Sequence, residues 1–253
     1  MLSAEQLQQN YSELRRRINE YFPTNRTTAI ISMVDDLEDR FMFAPASSFE
    51  YFHNAFPGGY TDHILRVDTF ATKVYELWKT VGMRIDFRVE ELHFAALHHD
   101  LGKLGLPGTG MEHYQPNSSD WHVKNQGKIY TKNPNVYNMN VTDRGFFLLQ
   151  YYGIQYTVNE MIGIRTTDGM YEENNKEYLA GFNLETKLRN SLPFILHQAD
   201  IMAFRYEFEQ WATGKFNFNP NVGGNVPQMT IEVLPKKEKN NPALTAFDDL
   251  FKI

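Results

Sequence analysis

The sequence predicts a mostly α-helical protein: a helical bundle with a long decorated loop and an extended C-terminal tail. Three observations carry that expectation. His63, Val67, Phe70, Val74 and Leu77 recur at intervals of 4, 3, 4 and 3, the spacing of one helix face. Leu92, Ala95, Ala96 and His99 share one face of a following segment, and a further apolar stretch fills 192–204. Strand-like character is confined to one short piece, Met229 to Leu234.

Each element has its own signal. Ser3 and Gln6 have the spacing of a capping box and open a helix to about Tyr21, which Pro23 breaks. A second helix is expected from Thr27 to Arg40, with Ile30, Ile31, Met33, Val34 and Leu37 apolar. Its acidic run, Asp35, Asp36, Glu38 and Asp39, reads as a solvated face. Phe56-Pro57-Gly58-Gly59 is a turn that leads into the 63–77 stripe. The next helix starts near Arg88 and should stop near Gly102. Residues 105–142 differ in kind. Gly105, Pro107, Gly108, Gly110, Pro116 and Pro134, with many Asn, mark a long ordered loop with a short hairpin around Gly127. A loop of that length inside a domain points to function. Helices resume over Asp143–Tyr152 and Thr157–Arg165, and a long one runs from about Glu185 to Ala212. Beyond Gly214 the chain is rich in Asn, Gly and Pro. A Lys236–Asn241 linker then leads to the apolar-acidic peptide Ala246–Phe251. The expected organisation is one helical domain over 1–213, with its motif core at about 52–210, and an extended segment over 214–253.

Composition narrows the function classes. A net charge of −6 weighs against a broad electrostatic grip on duplex nucleic acid, whose phosphates need clustered Lys and Arg. The absence of cysteine excludes disulfides, thiolate catalysis and Cys-type zinc sites. The first ten residues are polar, and no apolar run approaches the ~20 residues that span a bilayer. The expectation is a cytoplasmic protein without membrane association.

The chemistry concentrates in Leu97-His98-His99-Asp100-Leu101-Gly102-Lys103. A His–Asp pair ending an apolar helix is costly to bury unless something partners both groups, and a divalent cation would do so. Imidazole with carboxylate suits Mn, Mg, Fe, Co, Ni or Zn. Lys103, three residues after Asp100, would place an ammonium where a metal-bound phosphate needs a counter-charge. His63 continues its helix's apolar stripe and should point inward. Asp200 sits in the apolar 192–204 stretch with His197 on the same face. Metal sites in helical bundles are built from such inward side chains on facing helices. His98 reads as a packing residue, and His53 and His93 as structural. His113 and His122 are the nitrogen ligands the loop could offer, but they read first as a solvated loop's histidines.

His63, His99-Asp100 and Asp200 resemble the H…HD…D signature of the HD superfamily of metal-dependent phosphohydrolases. The lead-in Gly58-Gly59-Tyr60-Thr61-Asp62-His63 and the motif His99-Asp100-Leu101-Gly102-Lys103 resemble the branch that includes HD-type exoribonucleases. Trp121-His122-Val123-Lys124-Asn125-Gln126-Gly127-Lys128 is similar to HD proteins of large tailed phages, which would place the chain in a host cytoplasm. The resemblance implies an HD-domain-like bundle with His63, His99, Asp100 and Asp200 as metal ligands. It implies a metal-activated water that attacks phosphorus, with Asp100 and Lys103 catalytic and Lys103 neutralising the phosphoryl charge. Two-metal relatives carry extra histidines where this chain has Ile164-Arg165-Thr166-Thr167-Asp168-Gly169-Met170-Tyr171, so one ion is expected rather than two. His122 is the candidate second-metal ligand or general acid. Arg165, Lys124 and Tyr171 are candidates for substrate binding. Asp168 and Glu172 are possible acid–base groups, although Asp168-Gly169 reads more simply as a turn.

The expected substrate is a small-molecule nucleotide, hydrolysed at a phosphate ester. The alternatives are a phosphodiesterase (a 3′-5′ nuclease or cyclic-nucleotide hydrolase) and, further off, a di-iron oxygenase. For single-stranded nucleic acid, Lys124, Lys128, Lys132 and Tyr130 would line a groove. Tyr60, Trp121, Tyr130 and Tyr171 are candidates to stack on a base. Residues 244–253 resemble sliding-clamp-binding peptides, with folding back onto the chain's own domain as the competing reading.

Overall fold

The computed structural model describes residues 2–180, 185 and 190–216. The strand expected at 229–234 and the peptide 244–253 lie outside them. Among the described residues the chain is mostly helical, with ten α-helices and one pair of three-residue strands. None of these helices is long and apolar enough to cross a membrane.

Helix α1 (Ala4–Tyr21) starts at the expected capping box, with Gln6 N donating to Ser3 Oγ and Ser3 N to Gln6 Oε1. The second expected helix differs. It begins directly after Pro23 and breaks at Leu37 into α2 (Thr24–Asp36) and α3 (Glu38–Phe43). The break lets Leu37 enter the core while Arg40, also buried, donates to the carbonyls of Leu104, Leu106 and Gly108. That arginine thereby anchors the start of the long loop.

The two glycines ahead of α4 (Gly59–Thr80) are sterically required. Gly58 has φ 81°, and a Cβ there would lie 2.0 Å from Leu7 Cδ2; one on Gly59 would lie 2.0 Å from the Asn54 carbonyl oxygen. The α4 stripe buries His63, Val67 and Val74, but Leu77 is exposed. Helix α5 (Val89–His98) packs on α4 and ends just before His99-Asp100. The chain then enters a 3-10 turn, Leu101–Leu104, in place of a continued α-helix. Because side chains three apart eclipse in that geometry, Lys103 still stands over Asp100.

The loop is more structured than expected. Strands β1 (Tyr114–Pro116) and β2 (Tyr130–Lys132) pair antiparallel, and helix α6 (Asp120–Gln126) lies between them. Gly127 is not a hairpin tip: at φ 61° it terminates α6 in the left-handed conformation that favours glycine. Helix α7 (Val141–Tyr151) begins against Gly102, where a Cβ would lie 1.9 Å from the Val141 carbonyl oxygen. Helix α8 (Val158–Thr166) opens on the Thr157–Glu160 capping box, and a short α9 (Lys176–Leu179) follows. The last helix, α10 (Leu192–Phe216), starts at Leu192 and not at Glu185. Pro193 occupies its first turn, the position where a missing N–H costs nothing. Helices α4, α5, α8 and α10 pack together, which brings the C-terminal end of α5 beside the second turn of α4 and the Asp200 segment of α10.

Candidate metal centre

His63 lies in the second turn of α4 and is 1% exposed. Its Nδ1 is 3.1 Å from both carboxylate oxygens of Glu207 on α10. A carboxylate there accepts from Nδ1–H and turns Nε2 the other way, toward the centre. His99 is fixed in the same sense, its Nδ1 donating to the Ala96 carbonyl at 2.9 Å. Its Nε2 is buried and has no hydrogen-bond partner.

These two nitrogens face two carboxylates. His63 Nε2 is 3.3 Å from Asp200 Oδ1 and 3.7 Å from Asp100 Oδ2; His99 Nε2 is 3.5 Å from Asp100 Oδ2 and 3.7 Å from Asp200 Oδ1. Bonds of about 2.1 Å to one tetrahedral ion would put neighbouring ligands roughly 3.4 Å apart. The four measured edges match that spacing, and the orphaned His99 nitrogen points to the position such an ion would take. His63, His99 and Asp200 could thus hold a cation, and so could His53, His63 and Asp100.

Charge is balanced around this centre. Burial would lower the His63 imidazole, but Glu207 and Asp200 outweigh it and lift it to about 10. Burial would raise Asp100, yet Lys103, His99 and His63 hold it well below the usual carboxylate range. Lys103 Nζ lies 2.6 Å from Asp100 Oδ2; burial opposes its charge, and the Asp100 carboxylate lifts it above its ordinary value. Lys103 also donates to His53 Nε2 at 3.2 Å. Burial, then the charge of Lys103, keeps His53 well below a normal histidine.

Two cavities flank the centre and share Asp100, Lys103 and Asp168 as wall. The larger, about 600 Å³, adds Phe52, His53, Tyr171, His197, Ile201 and Phe204. The smaller, about 300 Å³, adds His99, Lys132, Asn140, Thr142 and Thr167. Asp168 keeps contact with solvent, but partial burial and the charges of Asp100 and Asp200 raise its carboxyl. His197 donates from Nδ1 to the Thr167 carbonyl at 2.6 Å and packs on Gly169, whose missing Cβ leaves room for the ring.

The structure therefore brings together His63, His99, Asp100, Lys103 and Asp200, with Tyr171 at the mouth of the larger cavity. It leaves other candidates outside. His122 is exposed on α6 against the Trp121 ring, because α6 belongs to the small strand-flanked insertion and turns its side chains to solvent. Lys124, on the same helix, faces Asp120 at 3.7 Å and lines a separate groove with Phe49 and Tyr51. Arg165 is paired with Asp143 at 2.9 Å and lines neither cavity. Tyr60 is fully buried against Phe41 and is not available to stack on a base. His113 is no solvated loop residue: it is buried and accepts from Arg144 at 2.9 Å. His98 packs on Phe94 and donates to its carbonyl, and His93 pairs with Asp68 at 2.6 Å under the Tyr21 ring.

One residue at the centre escaped the sequence reading, and two were given a lesser weight than their positions warrant. Glu207 was not singled out, although it follows Asp200 by seven residues, two helical turns on the same face. His53 reads as structural, and Asp168 as an acid–base group or more simply part of a turn; both line the larger cavity, as does Glu172. No protein-family model matches the chain, and comparison with curated proteins and with solved structures finds no significant match.

Proposed function

We propose that this chain is a metal-dependent phosphohydrolase of the HD type that hydrolyses nucleotide phosphate esters. The observation that carries the reading is the buried, partnerless His99 Nε2 facing His63, Asp100 and Asp200, with the Lys103 ammonium alongside. His63, His99, Asp100 and Asp200 would hold the ion. When bound, a divalent cation supplies Lewis acidity that polarises a phosphate and lowers the pKa of a water. Glu207 fixes the His63 tautomer. Lys103 supplies fixed positive charge for the phosphoryl oxygens in a largely buried site, where such charge counts most. Asp168, on the wall shared by both cavities, would give a proton to the leaving oxygen, a role for which the sequence offered His122 and, as an alternative, Asp168 or Glu172. Phe52, Phe204 and Tyr171 offer ring faces to a base in the larger cavity.

The test starts with metal content by mass spectrometry on full-length protein purified without chelator. Mono-, tri- and cyclic nucleotides and short single strands are then offered with Mn, Mg, Co and Ni. About one ion per chain is expected, with phosphate release that Asp100→Ala and His99→Ala abolish. A metal-free protein that releases no phosphate overturns the reading. Two irons per chain without phosphate release would move the protein to the oxygenase class.

A further inference from the structure

A phosphomonoester needs one chamber beside its metal, for the leaving group. This centre has two, on either side of a common wall of Asp100, Lys103 and Asp168. Their linings differ in chemistry. The larger contains Phe52, Tyr171 and Phe204, surfaces suited to a base and sugar. The smaller contains no Phe, Tyr or Trp and gives a second base no ring to stack on.

What the smaller cavity does offer is positive charge and donors. Lys132, at the end of β2, lines it and forms no ion pair among the described residues. Thr142 is only 8% exposed, and its hydroxyl makes no hydrogen bond among the described residues. Helix α7, eleven residues long, begins in the same wall at Val141, so its positive end faces the cavity. Lys103 contributes from the shared side. Asp100 and Asp168 also line the cavity, but Asp100 is paired with Lys103 and belongs to the proposed ligand set, and Asn140 caps only the Thr142 N–H; Lys132, the unpartnered Thr142 hydroxyl and the rest of the α7 N-terminus are left to meet a polyanion.

Resting on the reading of the centre as a phosphohydrolase, we infer that the smaller cavity is a subsite for the distal phosphates of a nucleoside polyphosphate. The nucleoside occupies the larger cavity, and the phosphate nearest it lies at the metal centre. Lys132 and Thr142 hold the remaining phosphates and set the preference for triphosphate over monophosphate.

The test uses the full chain with Mn²⁺ and two readouts. Inorganic tripolyphosphate binding is measured by calorimetry in the wild type, Lys132→Glu and Thr142→Val. KM is measured for one nucleoside as its mono- and triphosphate. Loss of one charge-assisted contact predicts about tenfold weaker tripolyphosphate binding in Lys132→Glu. The triphosphate KM should rise by a similar factor relative to the monophosphate KM, and Thr142→Val, close in shape, should act in the same direction. Equal effects of Lys132→Glu on both substrates, or tripolyphosphate binding indifferent to both substitutions, overturn the subsite. So does faster turnover of dinucleotides than of triphosphates, because the smaller cavity would then hold a nucleoside. The two ideas fail separately. If no phosphate ester is hydrolysed, the function falls while tripolyphosphate binding still judges the subsite. If monophosphates are hydrolysed but tripolyphosphate does not bind, the subsite falls and the function stands.

Discussion

Replacing Glu207 by Gln tests whether a residue outside the proposed ligand set controls metal affinity. Both Glu207 oxygens lie 3.1 Å from His63 Nδ1, and both residues are buried, so the charge is removed where screening is weak. Glutamine keeps the volume and can still accept from Nδ1–H, but its neutral amide makes Nε2 a poorer donor to a cation. Outer carboxylates of this kind are worth about 10–100-fold in metal affinity, or about 1.4–2.7 kcal/mol. The fold should survive the change. Arg66, which pairs with Glu207 at 2.5 Å, keeps Asp62 at 2.7 Å. The assay is a Mn²⁺ titration followed by the paramagnetic signal of the free ion, with Asp62→Asn as control, since it disturbs Arg66 and leaves the His63–Glu207 contact intact. Glu207→Gln should fall in the stated range and Asp62→Asn should match the wild type. Equal affinity in Glu207→Gln and wild type would refute the reasoning, as would an equal loss in both variants.

Three further outcomes are expected. Gly169→Ala forces a side chain onto φ 56° with its Cβ 2.1 Å from His197 Cε1; a loss of about 1–3 kcal/mol should lower Tm, and an unchanged Tm would count against the packing described. The His98 imidazole, held down at about 4 chiefly by burial, is neutral when folded, whereas the unfolded value is 6.5. Above pH 6.5 both states are neutral; as pH falls from 6.5 toward 4 the unfolded chain takes the proton first, so about 3 kcal/mol of stability is lost across that window. His98→Gln should flatten this part of the stability–pH curve without abolishing it, because His113 is held near 4 as well; an unaltered slope in denaturant titrations would contradict the assignment. Finally, His122→Ala should leave the ion stoichiometry unchanged, and a lost ion would return His122 to the centre.

The centre's main side chains were legible before folding because each is locally improbable. A histidine in an apolar stripe, a His–Asp pair ending an apolar helix and an aspartate inside an apolar run each demand a partner, and the helical period says which face bears them. Gly58-Gly59 and the Ser3–Gln6 capping box were legible for the same reason: their roles depend on neighbours in sequence. What the period does not encode is which faces meet. Glu207 acquires its role only where α10 crosses α4, and the same crossing buries His63 against it. His53 and Asp168 lie in irregular segments with no repeat to orient them. His122 stands outside the centre because β1 pairs with β2 and carries α6 with the insertion, a long-range register that no local spacing contains. Local chemistry thus named the candidate ligands, and the packing of distant segments decided their supports, the two cavities and the residues left in solvent.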